Sequence, residues 1–228
     1  WDSARAAFEI ALDATLAHAP GDSARSRAYL VDALGRLGRE DDARAQWRAA
    51  MDEVDRGSAR ARRGKEAWVR TGWGGALVQL QRWREAIDVL DTPAVHQAMH
   101  DDPLPGLRAR RFLGVALVRE GSSRDRGLHL LASSPAAHGR ALEPALRSLA
   151  HVSVLVEAEL RADAGLWNPD IESRTTTALS TLPVYGAAPR VIGRARTSVE
   201  RAIEHRTRDG DEPLALALRT LIERCDAI

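Results

Sequence analysis

The chain has 228 residues, of which 44% are hydrophobic and 29% are charged. That length and apolar content are enough to build a buried core, and they exclude an intrinsically disordered chain. The formal net charge of +1 excludes a global field that would draw the protein to nucleic acid or to a membrane surface.

The composition favours an all-α fold and a cytoplasmic location. Ala, Leu, Arg and Glu, which are strong helix formers, are abundant, whereas runs of β-branched residues are scarce. The single cysteine, Cys225, excludes an internal disulfide framework and suits a reducing compartment. No apolar run reaches the roughly 20 residues that a membrane span needs. We therefore expect a helical protein without a membrane partner.

Three helices are predicted in the first part of the chain. Apolar residues at steps of three and four predict one helix over residues 2–17 and a second over 23–37, with Ser23 as its N-terminal cap. Gly38 follows as a left-handed stop. A third helix comes next, and its inward residues are Ala43, Trp47, Ala50, Met51 and Val54.

The third helix repeats the pattern of the first at a distance of 39 residues. The matched pairs are Ala4 and Ala43, Phe8 and Trp47, and Ala11 and Ala50. The pattern resembles the tetratricopeptide repeat, in which a Leu-containing helix and a Gly turn precede a small residue, a large apolar residue and an Ala. In the second hairpin these places are held by Leu30, Gly38, Ala43, Trp47 and Ala50. Val31 and Asp55 stand where the family often has Gly and Pro.

Two looser units follow along the chain. Their matching residues are Trp73, Gly74, Leu77, Trp83, Ala86 and Leu90, then Leu113, Gly114, Leu117, Gly121, Gly127 and Leu131. The small residue that marks each unit falls at positions 4, 43, 86 and 127, and these spacings exceed the roughly 34 residues of the family. The resemblance thus covers residues 1–140 as degenerate repeats. The first repeat lacks its first helix, from which we expect a longer parent protein.

Beyond residue 140 the repeat pattern fades while helices are still predicted. One helix is expected over 143–164, and another begins at Asn168-Pro169-Asp170, where a cap precedes a proline and an acid. Further helices are expected over about 189–208 and from Pro213. We expect residues 141–228 to form helical hairpins that continue or cap the stack.

The resemblance implies an all-α, right-handed superhelix, that is, an α-α solenoid of antiparallel helix pairs. It also implies a non-catalytic protein–protein interaction module without a cofactor, of the kind that forms the scaffold or sensor segment of larger bacterial regulatory proteins. The positions that match the family's concave groove are Arg25, Asp32, Arg36, Trp68, Thr71, Gln79, Arg108, Arg111, Val115 and Arg119. This mainly basic surface suits a protein or acidic peptide, or another domain of the same parent chain.

A basic run after the third helix has two interpretations. Its members are Arg56, Arg60, Arg62, Arg63 and Lys65. We expect a solvated connecting loop, and the alternative is contact with an anion or nucleic acid. A phosphate loop is excluded because six residues separate Gly57 from Gly64 and Glu66 follows the Lys. No aromatic residue interleaves the run, so nucleic acid is not an expected partner.

Catalytic and metal sites are not indicated by the sequence. His96 and His100 would share one face of a helix, which is a start for a metal site, but no convergent third ligand is identifiable. Pro103 limits a helix there, and we expect a polar loop. No Gly-x-Ser-x-Gly turn is present, and Cys225 is expected to be a buried structural thiol. The alternative to a non-catalytic binding module is a small-ligand receptor or enzyme with a pocket between helical hairpins.

Overall fold

A computed structural model describes residues 2–19, 23–133 and 144–181 of the chain. It also describes the isolated residues Thr197, Glu200, Ile203, Glu204, Thr207, Arg208, Arg219 and Glu223. Every regular element in these parts is an α-helix, which confirms the all-α class. The helices are α1 (Asp2–His18), α2 (Ala24–Arg36), α3 (Glu40–Arg56), α4 (Ala59–Gln79), α5 (Trp83–Leu90), α6 (Pro93–Asp101), α7 (Pro103–Glu120), α8 (Arg124–Ala132), α9 (Pro144–Asp163) and α10 (Pro169–Thr181). None of them is long and apolar enough to cross a membrane.

Several helix boundaries agree with the predicted ones to within one or two residues. The helices predicted over 2–17, 23–37 and 143–164 are α1, α2 and α9. Asn168 begins α10 as predicted, because its side-chain oxygen accepts a hydrogen bond from the Ile171 amide at 3.0 Å. Of the helices predicted over about 189–208 and from Pro213, only the isolated residues are described, and Cys225 lies outside the described residues.

Two segments that were expected to be loops are helical. In the basic run, Arg56 ends α3 and the other four residues lie in the first turns of α4, while the segment with His96 and His100 forms α6. Pro103 occupies the first turn of α7, where a proline costs no hydrogen bond. Asp102 caps that helix by accepting a hydrogen bond from the Leu104 amide at 3.3 Å. The loop expectations were wrong because a helix tolerates charged and imidazole side chains, such as the exposed Arg62 and His100.

The turn between α2 and α3 is the one that the sequence predicted. Gly38 has a left-handed φ of +71°, and the amide of Arg39 donates to the carbonyl of Leu34 at 3.0 Å. This is a Schellman motif, which satisfies carbonyls at the end of α2. The side chain of Arg39 then bonds the Asp42 carboxylate at 2.7 Å, in the first turn of α3.

The turn between α4 and α5 has the same geometry without a glycine. Gln81 has a φ of +60°, and the amide of Arg82 donates to the carbonyl of Leu77 at 2.9 Å. The side chain of Arg82 bonds the Glu85 carboxylate at 2.6 Å. Gln81, Arg82 and the start of α5 therefore reproduce the first turn 43 positions later in the chain.

The chain divides into two compact units, Trp1–Gly127 and Leu128–Ile228. In the first unit, α2 packs against α1, α3 and α4, while α4 also packs against α3, α5, α6 and α7. Helix α7 contacts α5 and α6 as well. The helices α2, α4 and α7 thus form a row, and α3 and α5 each contact two consecutive members of it. In the second unit, α9 packs against α10.

Glycines allow α2 and α4 to approach each other closely. A Cβ atom on Gly35 would lie 2.5 Å from the Cα atom of Ala76, and one on Gly72 would lie 2.9 Å from the Cα atom of Ala28. Ala28 of α2 pairs with Gly72 of α4, and the later residue Gly35 pairs with the later residue Ala76. The two helices therefore run in the same direction. Side chains at equivalent turns of α2 and α4 are therefore neighbours.

Most of the predicted core residues are buried. They include Leu30, Leu34, Ala43, Ala50, Val54, Leu77, Ala86, Leu90, Leu113 and Leu117. Helix α1 differs, because Leu12 is buried whereas Ala11 is exposed and Leu16 is 38% exposed. The predicted apolar stripe of α1 is thus only partly covered by the described residues.

Candidate functional site

The ten predicted groove residues all lie on the three helices of the row. Helix α2 carries Arg25, Asp32 and Arg36, α4 carries Trp68, Thr71 and Gln79, and α7 carries Arg108, Arg111, Val115 and Arg119. Since α4 contacts both α2 and α7, these side chains can form one surface. We call the surface formed by these ten residues and Tyr29 the α2–α4–α7 surface.

One part of this surface is a stack of cations and aromatic rings. The guanidinium of Arg25 lies 4.5 Å from the centroid of the Trp68 ring, which is tilted against the Tyr29 ring at a centroid distance of 5.5 Å. The guanidinium of Arg108 lies 4.9 Å from the Tyr29 centroid. Each ring therefore receives a cation over its face, the arrangement in which the ring quadrupole attracts positive charge.

The stack continues into an ion pair between helices. Arg108 donates from its NH2 atom to Oδ2 of Asp32 at 2.9 Å, and the Nε atom of Arg36 lies 3.3 Å from Oδ1 of the same carboxylate. Arg111 extends the surface along α7, with its guanidinium 4.9 Å from the centroid of Phe112. Five arginines and one aspartate are thus present among the predicted residues, and the aspartate already has two arginines beside it.

The predicted residues differ in burial: two are buried, three are exposed and the other five are half-buried. Thr71 is buried and Arg108 is only 6% exposed, so neither side chain offers much contact area to a partner. Arg25, Gln79 and Arg119 are exposed. Gln79 ends α4 and Val115 lies half-buried on α7, and neither belongs to the stack described above. Of the exposed arginines Arg25 and Arg119, only Arg25 belongs to the stack, over the Trp68 ring.

Two aromatic residues of this site were not among the predicted residues. Tyr29 of α2 is half-buried, and its ring links Trp68 to Arg108. Phe8 of α1 stacks on the other side, with ring centroids 5.4 Å apart and planes inclined by 11°. Tyr29 lies four residues after Arg25 and three before Asp32, which is the spacing of neighbours on one helix face. That spacing was a usable signal for Tyr29.

The arrangement is chemically suited to binding negative charge and apolar surface. Arginine over an aromatic ring keeps its outer N–H groups for carboxylates, which it can hold in bidentate fashion. Within the described residues, no group of three His, Cys, Asp or Glu side chains is placed to hold a metal ion. His96 in α6 instead bonds Asp91 through its Nε2 atom at 2.6 Å.

Comparisons with known proteins do not assign the chain to a family. The chain matches no protein-family model, and no curated protein or solved structure shows significant similarity to it. Inference about its function therefore rests on its own residues and their geometry.

Proposed function

We propose that this chain is a non-catalytic, tetratricopeptide-like binding protein that takes an extended acidic peptide across the α2–α4–α7 surface. The observation that carries the proposal is the stack of Arg25, Trp68, Tyr29 and Arg108, which combines exposed positive charge with aromatic faces. An extended peptide can place a carboxylate on the exposed Arg25 and an apolar side chain against the half-buried Trp68 ring. The proposed location is the cytoplasm.

The repeat architecture is part of the same proposal. Two Schellman turns that are alike in backbone geometry and in their Arg–carboxylate bonds occur 43 residues apart. The helices that follow these turns each contact two members of the row. These features support a right-handed superhelix in which α2, α4 and α7 line the concave side. In such a stack the first helix of each pair presents the binding surface, and the chain serves as the scaffold or sensor segment of a larger bacterial regulatory protein.

The test measures peptide binding with one charge reversed on the surface and one reversed elsewhere. Fluorescein-labelled peptides rich in Asp, Glu and aromatic residues are titrated with the full chain, and binding is followed by fluorescence anisotropy. Arg25→Glu should weaken binding at least about tenfold, which corresponds to roughly 1.4 kcal/mol. Arg25 is exposed, so the fold should tolerate this change.

Arg48→Glu is the matched control because Arg48 is an exposed arginine on α3, outside the row. It should leave the affinity within about twofold, and added salt should weaken wild-type binding more than it weakens Arg25→Glu binding. Equal losses from the two reversals would mean that only net charge matters. Either that result or the absence of binding by any acidic peptide would overturn the proposal.

A further inference from the structure

A second candidate site lies in the first unit, away from the stack of cations and rings. A cleft of about 550 Å³ is bounded by the end of α1, the start of α2, the end of α3 and the second turn of α4. This volume falls in the range of small-molecule sites, which is roughly 300–1,000 Å³. None of the ten predicted groove residues lines it.

The wall of the cleft is a hydrogen-bonded network from three helices. The largely buried carboxylate of Glu53 on α3 accepts a hydrogen bond from Oγ of Ser23 at 2.5 Å and lies 3.3 Å from Nζ of Lys65 on α4. Arg27 on α2 donates from Nε to the same Ser23 oxygen at 3.3 Å and from NH1 to Gln46 at 2.5 Å. Ser23 was predicted to cap α2, but its hydroxyl makes no cap bond and joins this network instead.

The network is mounted on a packed core, so its geometry is held in place. Ala24, Ala50, Val54 and Val69 form a buried apolar cluster, with Trp47 and Met51 packed against it. Ser23 and Glu53 directly adjoin Ala24 and Val54 in the chain. A polar site supported by rigid packing binds at lower entropic cost than one on mobile loops.

Two features of the lining indicate the kind of molecule that fits. Leu16 is 38% exposed and presents apolar area to the cleft, next to Ala49. Arg56 is exposed at the rim, and its Nε atom is held by the carbonyl of Asp52 at 2.9 Å, which orients the guanidinium. The lining carries three cations, Arg27, Arg56 and Lys65, against two carboxylates, Asp52 and Glu53, and Glu53 is paired with Lys65, so the lining has one net positive charge.

We propose that this cleft binds a small amphipathic anion, a carboxylate or phosphate monoester with a short apolar body. Its oxyanion would meet Arg56 and Arg27, and its apolar body would lie on Leu16 and Ala49. A guanidinium oriented through Nε offers its two terminal nitrogens to an oxyanion. This inference does not depend on peptide binding at the α2–α4–α7 surface.

The test compares four probes on the full-length chain by ¹H–¹⁵N spectra and by titration. Hexanoate and hexyl phosphate share the apolar body and differ in the oxyanion, hexylammonium reverses the charge, and inorganic phosphate lacks the body. We expect the first two to bind and to shift amide signals at the end of α1 and the end of α3. Whichever of them binds more tightly identifies the oxyanion. Hexylammonium and inorganic phosphate should bind at least tenfold more weakly.

Two variants assign that binding to the cleft. Arg56→Ala should weaken the binding of hexanoate and hexyl phosphate about tenfold. Leu16→Asn should reduce the ratio by which hexanoate binds more tightly than acetate and hexyl phosphate more tightly than inorganic phosphate. Arg48→Ala, on the same helix, and Arg25→Ala, on the peptide surface, should not change either affinity. The proposal fails if no probe shifts the cleft amides, if hexylammonium binds as tightly as hexanoate, or if Arg56→Ala leaves the affinities unchanged. In those cases the Ser23–Glu53 network serves only to join helices.

Discussion

Two regions of the molecule use the same device, a carboxylate held between two arginines. On α2, Asp32 lies beside Arg36, four residues on, and beside Arg108 from α7. On α9, Glu157 lies beside Arg161, also four residues on, and beside Arg174 from α10. In each case the first arginine belongs to the same helix and the second joins two helices of one unit.

The two clamps differ in how much water reaches them. The side chain of Glu157 is 0% exposed, and Arg174 binds both of its oxygens, at 2.7 and 3.0 Å. The side chain of Asp32 is 14% exposed, and its arginine from α7 also lies over Tyr29. A buried charge that loses its partner is costly, whereas a partly solvated one is tolerated and can still interact with a ligand. The Glu157 clamp is therefore structural, and the Asp32 clamp borders the proposed binding surface.

The largest effect is expected at the buried clamp. Glu157→Ala leaves Arg161 and Arg174 without their shared carboxylate and should lower the free energy of unfolding of this region by about 3–5 kcal/mol. Hydrogen–deuterium exchange of the α9 and α10 amides measures this locally, which matters because two units need not unfold together. The pKa of Arg174 is raised, chiefly by its hydrogen bond to Glu157, which agrees with a strong interaction.

Asp170→Asn is the matched control because Asp170 is a largely exposed partner of the same Arg174, at 3.0 Å. Its loss should cost less than about 1 kcal/mol. If both variants had equally small effects, burial would not be what distinguishes the clamps.

The second effect concerns the close packing of α4 against α2, the helix that carries Asp32. Gly72→Ala places a Cβ atom against the backbone of Ala28, which cannot move aside as a flexible side chain could. We expect a loss of about 3 kcal/mol, at the upper end of over-packing costs. Urea unfolding followed by circular dichroism measures it.

Gly64→Ala on the same helix is the control, because a Cβ atom there meets nothing within 4 Å. It should stabilise α4 by roughly 0.5–1 kcal/mol through helix propensity alone. A gain at both positions would show that α2 and α4 are farther apart than described.

A comparison of Gly38 with Gly72 shows what could be predicted from sequence. Gly38 was predicted as a left-handed stop because a turn signal is local, and φ at Gly38 is +71°. That Gly72 contacts Ala28 depends on which helices become neighbours, and one sequence does not show this. Gln81 adopts the same left-handed turn as Gly38, although it is not a glycine. Only Arg82 and its partner Glu85, three positions on, could have indicated that turn from the sequence.

The candidate site, like the turns, could be predicted only in part from the sequence. Repeat positions placed Arg25, Trp68 and Arg108 on one row of helices, and the structure brings these side chains together through Tyr29. The near-complete burial of Arg108 was not predictable, because it results from the packing of α7 against α4. The cleft beside Ser23 was missed for the same reason, since its network joins residues from three helices.

The third effect compares the nearly buried Arg108 with the half-buried Arg111, both on α7. Arg108→Ala leaves Asp32 with Arg36 and water, so the cost should be about 2 kcal/mol, below that of a fully buried pair. Arg111→Ala removes a cation from the face of Phe112 and should cost no more than about 1 kcal/mol. Urea unfolding of the two variants measures both. Equal costs would mean that the Asp32 ion pair adds nothing to stability.

The smallest effect is expected at a third carboxylate, which is more exposed than the other two. The side chain of Asp91 is 29% exposed, and it accepts bonds from NH1 and NH2 of Arg126, both at 2.7 Å, and from His96. The hydrogen bonds from Arg126 are the main cause that lowers the pKa of Asp91 from 3.8 to about 2. Because the folded state holds the ionised form, the contribution of Asp91 to stability is complete above pH 3.8 and is lost as the pH falls towards 2.

Asp91→Asn should remove this pH dependence and cost at most about 1 kcal/mol at neutral pH, since Arg126 is exposed and salt screens the pair. NMR titration of the Asp91 carboxyl group gives its pKa directly, and urea unfolding between pH 2 and pH 5 gives the stability difference. Asp88→Asn is the control, because Asp88 lies 3.8 Å from Arg84 and both side chains are largely exposed. It should leave the pH profile unchanged. Two results would contradict the relation between burial and the strength of these three carboxylate–arginine contacts. One is an Asp91 carboxyl that titrates near pH 3.8, and the other is a loss of unfolding free energy in Asp91→Asn as large as that in Glu157→Ala.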